Sequence, residues 1–293
     1  FIGCLSWVPS FLAALILAVA AARVQAAGRR RGLFGSALAA LLLDLVTGPA
    51  ELALSDTLRA LAGAEVSRGT QVIVWDVRLP VACMALLVGA ALALAGAEMQ
   101  TVLENPLAEP FTLGVSSAAA LGAAVAIILG LTIPGLPGVW SVSANAFLFA
   151  VGALLLLQLL GRIRGGGPEV LVLFGVALNF TAGALLSLVQ FVASADALQQ
   201  LVFWSMGSLA SAQWPGVAMI GVILLAAAPF SFGAAWKLTA LRLGEDQARS
   251  FGVDVTRLRR WTLLRVSLLS AAAVSMVGVI GFVGLAGPHI ARM

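Results

Sequence analysis

The segment Pro80–Leu103 reads PVACMALLVGAALALAGAEMQTVL and contains one charged side chain, Glu98. A helix needs about 20 predominantly apolar residues to cross the roughly 30 Å hydrocarbon core of a bilayer, and this run is long enough. Its residues do not alternate between polar and apolar, as the strands of an outer-membrane barrel would. Similar runs recur on either side, at 5–22, 33–53, 112–131, 144–160, 170–192, 216–235, 262–278 and 279–291, the last short and rich in glycine. The composition agrees: 61% of the 293 residues are hydrophobic and 10% charged, against about 25% charged in a soluble domain. The expected fold class is all-α, a polytopic transmembrane helical bundle. The intervening stretches, including 54–79 and 193–215, read as connectors, and none is long enough to bury a core of its own.

The net charge of +4 is a signal of topology. If Arg29, Arg30 and Arg31 lie inside and each span from 33 onward crosses once, only Arg59, Arg68 and Arg78 fall outside. Every other Lys and Arg, Arg265 among them, is then counted inside. The opposite orientation inverts that ratio, so the positive-inside bias selects this one, and nucleic acid is not the expected partner. Residues 5–22, followed by Arg23, read as an additional helix, a leader-like segment or an interfacial piece.

The chain has no visible means of chemistry. A Walker-type phosphate loop places lysine directly after its glycines, followed by Ser or Thr. The sole lysine, Lys237, sits in Gly233-Ala234-Ala235-Trp236-Lys237 and fits neither requirement. Cys4 and Cys83 lie in apolar runs and read as buried free thiols. His289 has no companion histidine and reads as structural. The expectation is a protein that is not an enzyme, with no cofactor and no metal.

Three features stand out. Leu243–Val253, LGEDQARSFGV, places Glu245, Ala248 and Gly252 at i, i+3 and i+7, one face of a short helix. Gly244 and Gly252 let the chain turn at each end. Such a segment reads either as a docking surface or as an ordinary amphipathic connector. The run 170–192 carries Asn179, Thr181, Gly183, Ser187 and Gln190, which either pack helix on helix or line a water-filled path. Glu98 is a carboxylate at membrane depth, where charge is costly and marks a functional site.

The 243–253 segment resembles the coupling-helix signature of FecCD-type permeases, the transmembrane subunits of ABC importers for ferric siderophores, haem and cobalamin. Three further segments resemble the same family. They are Arg78-Leu79-Pro80 with Leu86–Gly96, then Asn105-Pro106-Leu107-Ala108-Glu109-Pro110 with Leu113–Ser117, then Gly281–Leu285 with Pro288–Arg292. Order and spacing match from about residue 33 to the end, which implies two parts: an N-terminal hydrophobic and basic stretch (1–32) and a permease domain (33–293). Roughly eight of the family's roughly ten helices would be present, so the resemblance also implies C-terminal incompleteness.

The resemblance implies site roles. Gly244, Glu245, Ala248 and Gly252 would contact a groove on an ABC ATPase. Asn105 and Leu107 would form part of a cytoplasmic gate, as the similar loop does in the family, and the residues are compatible with it: Asn105-Pro106 can break a helix and Leu107 can close a pore by apolar contact. Arg78 would meet a glutamate on a periplasmic substrate-binding protein. Asn179, Thr181, Ser187 and Gln190 would line the translocation path at a homodimer interface in the bacterial inner membrane. The chain departs from the family where Val81 replaces a second arginine, where Glu98 replaces an apolar residue, and where Gly165-Gly166-Gly167-Pro168-Glu169 replaces a hydroxyl-bearing gate. A rival reading, an ion-coupled secondary transporter, would use Glu98 and Asp44 as coupling carboxylates.

Overall fold

A computed structural model describes residues 52–163 and 167–292, together with Leu41 and Leu45. The apolar segment 5–22, the basic stretch 29–31 and Asp44 lie outside the described residues. Within them the chain forms ten α-helices and no strand. A short helix, α1 (Leu54–Leu61), leads into α2, continuous over Arg68–Val102 with a π-helical stretch at Ile73–Arg78. Then follow α3 (Val115–Ile127), α4 (Gly138–Ile163), α5 (Pro168–Phe191), α6 (Ala195–Ser205), α7 (Trp214–Leu241), α8 (Glu245–Ser250), α9 (Val255–Val277) and α10 (Val283–Arg292).

Two stretches expected to be connectors contain helix. Residues 54–79 hold α1 and the first turns of α2, which begins where the Ser67 side chain accepts from the Thr70 N–H at 3.1 Å. Residues 193–215 hold α6, capped in the same way by Ser194 on the Ala197 N–H at 3.3 Å. Each cap satisfies a backbone donor that the first turn leaves unpaired. Periodicity alone misses both because neither stretch is apolar for long.

Five helices are long and apolar enough to span a membrane: Arg68–Val102, Trp140–Ile163, Pro168–Phe191, Trp214–Leu241 and Val255–Val277. Two expected spans are shorter than their apolar runs. The run 112–131 yields only the 13 residues of α3, and 279–291 only the 10 residues of α10. At 1.5 Å per residue α3 reaches about 20 Å, part of the way across. The cause is left-handed backbone at their ends: Gly114 (φ 81°) and Gly130 (φ 65°) bracket α3, while Gly278 (φ 75°) and Phe282 (φ 66°) delay the start of α10. Helices stop at such residues.

The centre of the bundle is formed by α2 and α9, packed on each other and flanked by α7 and α4, with α10 against α2 and α3 between α4 and α5. Contacts are close because the residues there are small. A Cβ on Gly96 of α2 would fall 1.9 Å from the Gly284 carbonyl oxygen of α10, so the two backbones come this close only with glycine at position 96. Interfaces of this kind supply helix association in lipid, where no hydrophobic drive exists between apolar helices.

Candidate functional site

The α8 turn is held from within. The Glu245 carboxylate pairs with the Arg259 guanidinium of α9 and accepts from Arg249 Nη2 at 2.9 Å. Asp254 caps α9 by accepting from the Arg257 N–H at 2.9 Å. Gly244 (φ 111°) and Gly252 (φ 78°) adopt backbone that side chains rarely take, as the turn at each end requires. The face carrying Ala248 points inward: Ala248 is 0% exposed, Gly244 and Glu245 are half-buried, and Gly252 is exposed. Asp246, Gln247, Arg249 and Ser250 form the open face. Small residues therefore let α8 lie tightly on its own chain, and the neighbouring positions are the ones a partner would meet.

The loop after α2 lies at the same end. Leu103 and Glu104 close the helix, Glu104 in left-handed conformation at φ 49°. Asn105 then folds back: its side-chain oxygen accepts from the Leu107 N–H at 2.9 Å, and its own N–H donates to the Gln100 carbonyl at 3.1 Å. Leu107 is 69% exposed, which leaves it open for apolar contact. Gln100 in turn accepts from Arg292 Nη2 at 2.7 Å. Arg292 lies close enough to Arg242, just past α7, for their charges to repel, which places the loop and the α8 turn at one end of the bundle. Asn105 and Leu103 line a groove of about 480 Å³ with Pro168, Glu169 and Val172 of α5.

Glu109, farther along the loop, was not singled out by its sequence context. Its carboxylate accepts from the Thr112 N–H, closing a capping box, and from the backbone N–H groups of Phe282 and Leu285. It thus caps α10 from a distant segment, supplying acceptors to donors at a helix start that water would otherwise have to satisfy. Burial pushes the Glu109 carboxyl above the usual carboxylate range, against the opposing pull of those two backbone donors.

Between the turn and the loop lies a buried ion pair. Arg265 Nε donates to both Glu98 oxygens at 3.1 and 3.2 Å, and Nη2 to Oε1 at 2.8 Å. A further bond from Nη2 to Thr262 Oγ1 at 3.0 Å orients the guanidinium, and Ser231 of α7 lies at the carboxylate. Arg265 was counted with the inside charges, but it sits ten residues into α9 and is buried. One lone anion and one lone cation, each within an apolar run, were the available signal: intramembrane charges tend to pair.

The remaining expected residues are spread apart. Arg78 is buried and donates from Nη1 to the Leu45 carbonyl at 2.6 Å, so contact with a docking protein would require that bond to break. Arg59 and Arg68, by contrast, are exposed. On α5, Asn179 Oδ1 accepts from Ser117 Oγ of α3 at 2.6 Å and joins the two helices. Gly114 allows this approach, since a Cβ there would meet the Asn179 backbone at 2.9 Å. Thr181 and Ser187 are exposed and donate to their own helix, at Ala177 O (2.8 Å) and Gly183 O (3.1 Å); Gln190 is half-buried. None of these four lines the groove at Asn105.

Comparison with known proteins places this geometry in context. The model of the FecCD transport family matches residues 36–293. The hemin transport system permease HmuU of Yersinia pestis is 35% identical over 254 residues, covering 86% of this chain and 76% of its own. The vitamin B12 import permease BtuC of Klebsiella pneumoniae is 35% identical over 277 residues, covering 93% and 79%. A solved inward-facing structure described as a metal-chelate type ABC transporter superposes with a TM-score of 0.73 at 31% identity, over 87% of this chain and 78% of that one.

Proposed function

The chain belongs to the FecCD transport family as a multi-pass membrane permease of the ABC importer type, and from that premise we propose that it carries a bulky iron chelate, haem or cobalamin across the bacterial inner membrane. Two copies form the pathway, two ATPase subunits drive it, and a periplasmic binding protein delivers the substrate. The chain performs no covalent chemistry. ATP binding and hydrolysis move the α8 turns, and the gates at Asn105 and Leu107 open and close in alternation.

The observation that carries this reading is the meeting, at one end of the bundle, of an exposed short helix and the broken-helix loop. The open face Asp246, Gln247, Arg249 and Ser250, with Gly244, Glu245 and Gly252 at its ends, is the surface assigned to the ATPase. Ala248 supports it from below. Arg59 and Arg68 are the charges assigned to a docking protein, with Arg78 joining them only if it releases Leu45. The exposed apolar face of α5, with Leu173, Phe180 and Leu188, is assigned to the second copy, with Asn179, Thr181, Ser187 and Gln190 along the path beside it. The haem, cobalamin and metal-chelate relatives support the substrate class.

The test is co-purification of the permease with its candidate ATPase, for wild type and for an Asp246→Arg, Gln247→Trp variant. Both positions are exposed, so the fold is expected to survive the change, as size exclusion of the variant checks. Retention of the ATPase by wild type and at least tenfold less by the variant, roughly 1.4 kcal/mol, supports the reading. An ATPase that ignores wild type sinks it.

A further inference from the structure

We propose that the Glu98–Arg265 pair is a positioning element that couples the ATPase-docking turn to the gate loop. The inference rests on the importer reading and deepens it. It starts from two arginines on one helix. Arg259 of α9 holds Glu245 of the α8 turn, and Arg265 holds Glu98 of α2. Six residues separate them, about 9 Å along a rigid helix. Glu98 lies four residues before the end of α2 and seven before Asn105. A displacement of α8 therefore reaches the gate loop through two ion pairs and two helix segments, with no flexible connector between them.

The energetics argue that the pair serves more than stability. Removing two charges from water is expensive, and apolar residues of similar volume often replace a buried pair at no loss or with a gain. In lipid the penalty for charge is at least as severe. The pair supplies direction instead. Three bonds from one guanidinium to one carboxylate, with Thr262 holding the guanidinium, fix the register of α9 on α2. Contacts between alanines and glycines would let the two helices slide. A fork of this geometry transmits both push and pull.

The far side of the loop is also anchored. Glu109 holds the start of α10, and Arg292 at the end of α10 returns to Gln100 of α2. Movement of the α2 end against this frame would concentrate in Glu104–Ala108, where Glu104 already takes left-handed backbone and Leu107 is exposed.

The experiment uses the permease assembled with its ATPase in nanodiscs, with Cys4 and Cys83 replaced by Ala and Leu107→Cys as reporter. A membrane-impermeant maleimide reads the accessibility of position 107 with and without ATP and vanadate. In this parent, nucleotide is expected to change the labelling rate at least about fivefold, the lower end of typical allosteric coupling. In Glu98→Leu, Arg265→Leu the change is expected to vanish while ATPase binding, ATP hydrolysis and Tm persist. Arg265→Lys keeps the charge and loses the fork; it is expected to lower the response at least about twofold at unchanged Tm. This second variant tests the inference even if the leucine pair fails to fold. A response in either folded variant equal to the parent's overturns the inference alone. A parent that binds no ATPase overturns the importer reading and this inference with it.

Discussion

Helices α9 and α5 have nearly the same length and opposite surroundings. The most apolar window of α9 has mean hydropathy 1.2 and is 67% buried, whereas that of α5 has mean hydropathy 2.0 and is 17% buried. In a soluble protein the more apolar helix would be the inner one. Here α9 takes Arg259, Thr262, Arg265, Ser267, Ser270 and Ser275 into the interior, while α5 turns Leu173, Phe180, Leu188 and Phe191 outward. The inversion follows from the solvent. Lipid accepts leucine as readily as a protein core does, so apolar residues gain nothing by hiding. Polar groups have no partners in hydrocarbon and must find them inside. On α9 Arg265 finds Glu98 of α2, while Ser267 and Ser275 bond their own helix at Leu263 O (2.6 Å) and Ala272 O (3.0 Å), and Ser270 Oγ is buried without a hydrogen-bond partner among the described residues.

The contrast predicts where substitutions will hurt. The largest effect is expected at Arg265→Ala, which leaves Glu98 buried without its partner. Breaking such a pair costs about 3–5 kcal/mol, and the expected outcome is loss of folded protein from detergent extracts, read by size exclusion. Recovery at wild-type yield would break the comparison. Next comes Gly96→Leu at the crossing with Gly284, where overpacking costs about 1–3 kcal/mol; thermal unfolding in detergent should show a lower midpoint. The smallest effects belong to α5. Asn179→Leu removes the bond to Ser117 and is expected to cost about 0.6 kcal/mol, the average for interhelical bonds in membranes. Thr181→Val, on the exposed face, should fall within about 0.5 kcal/mol of wild type. A Thr181→Val cost exceeding that of Asn179→Leu would mean that this face is packed in the assembly, which sharpens the case for a second copy there.

Several local features of the candidate site are legible in the sequence. Asn105-Pro106 marks a helix break because proline lacks the N–H and restricts the residue before it, and the loop forms there. Gly244 and Gly252 mark the bounds of the α8 turn for the same kind of local reason. Glu98 is conspicuous as the one charge in an apolar run. Its partner was harder to read, because Arg265 is 167 residues away in sequence and lies near the polar end of its own helix. Arg78 was expected to face outward and meet a docking protein, yet its guanidinium turns to the Leu45 carbonyl; the direction of a long side chain depends on what packs beside it. Glu109 carries a local signal only for its capping box with Thr112; its role at α10 has none, since those donors belong to a segment more than 170 residues on.

The sequence by itself determined the solvent, the approximate place of the five long helices, the bounds of the α8 turn and the family, whereas it pointed to seven spans among the described residues. Each of these depends on composition or on interactions within a few residues, where runs of apolar side chains, prolines and glycines act directly on the backbone. The tertiary structure alone decided which helices lie inside, which face of α8 is open, and which charges meet. Those outcomes depend on contacts between residues far apart in the chain, and in lipid the pairing of polar groups, rather than hydropathy, selects among the ways of packing helices that are otherwise equally apolar.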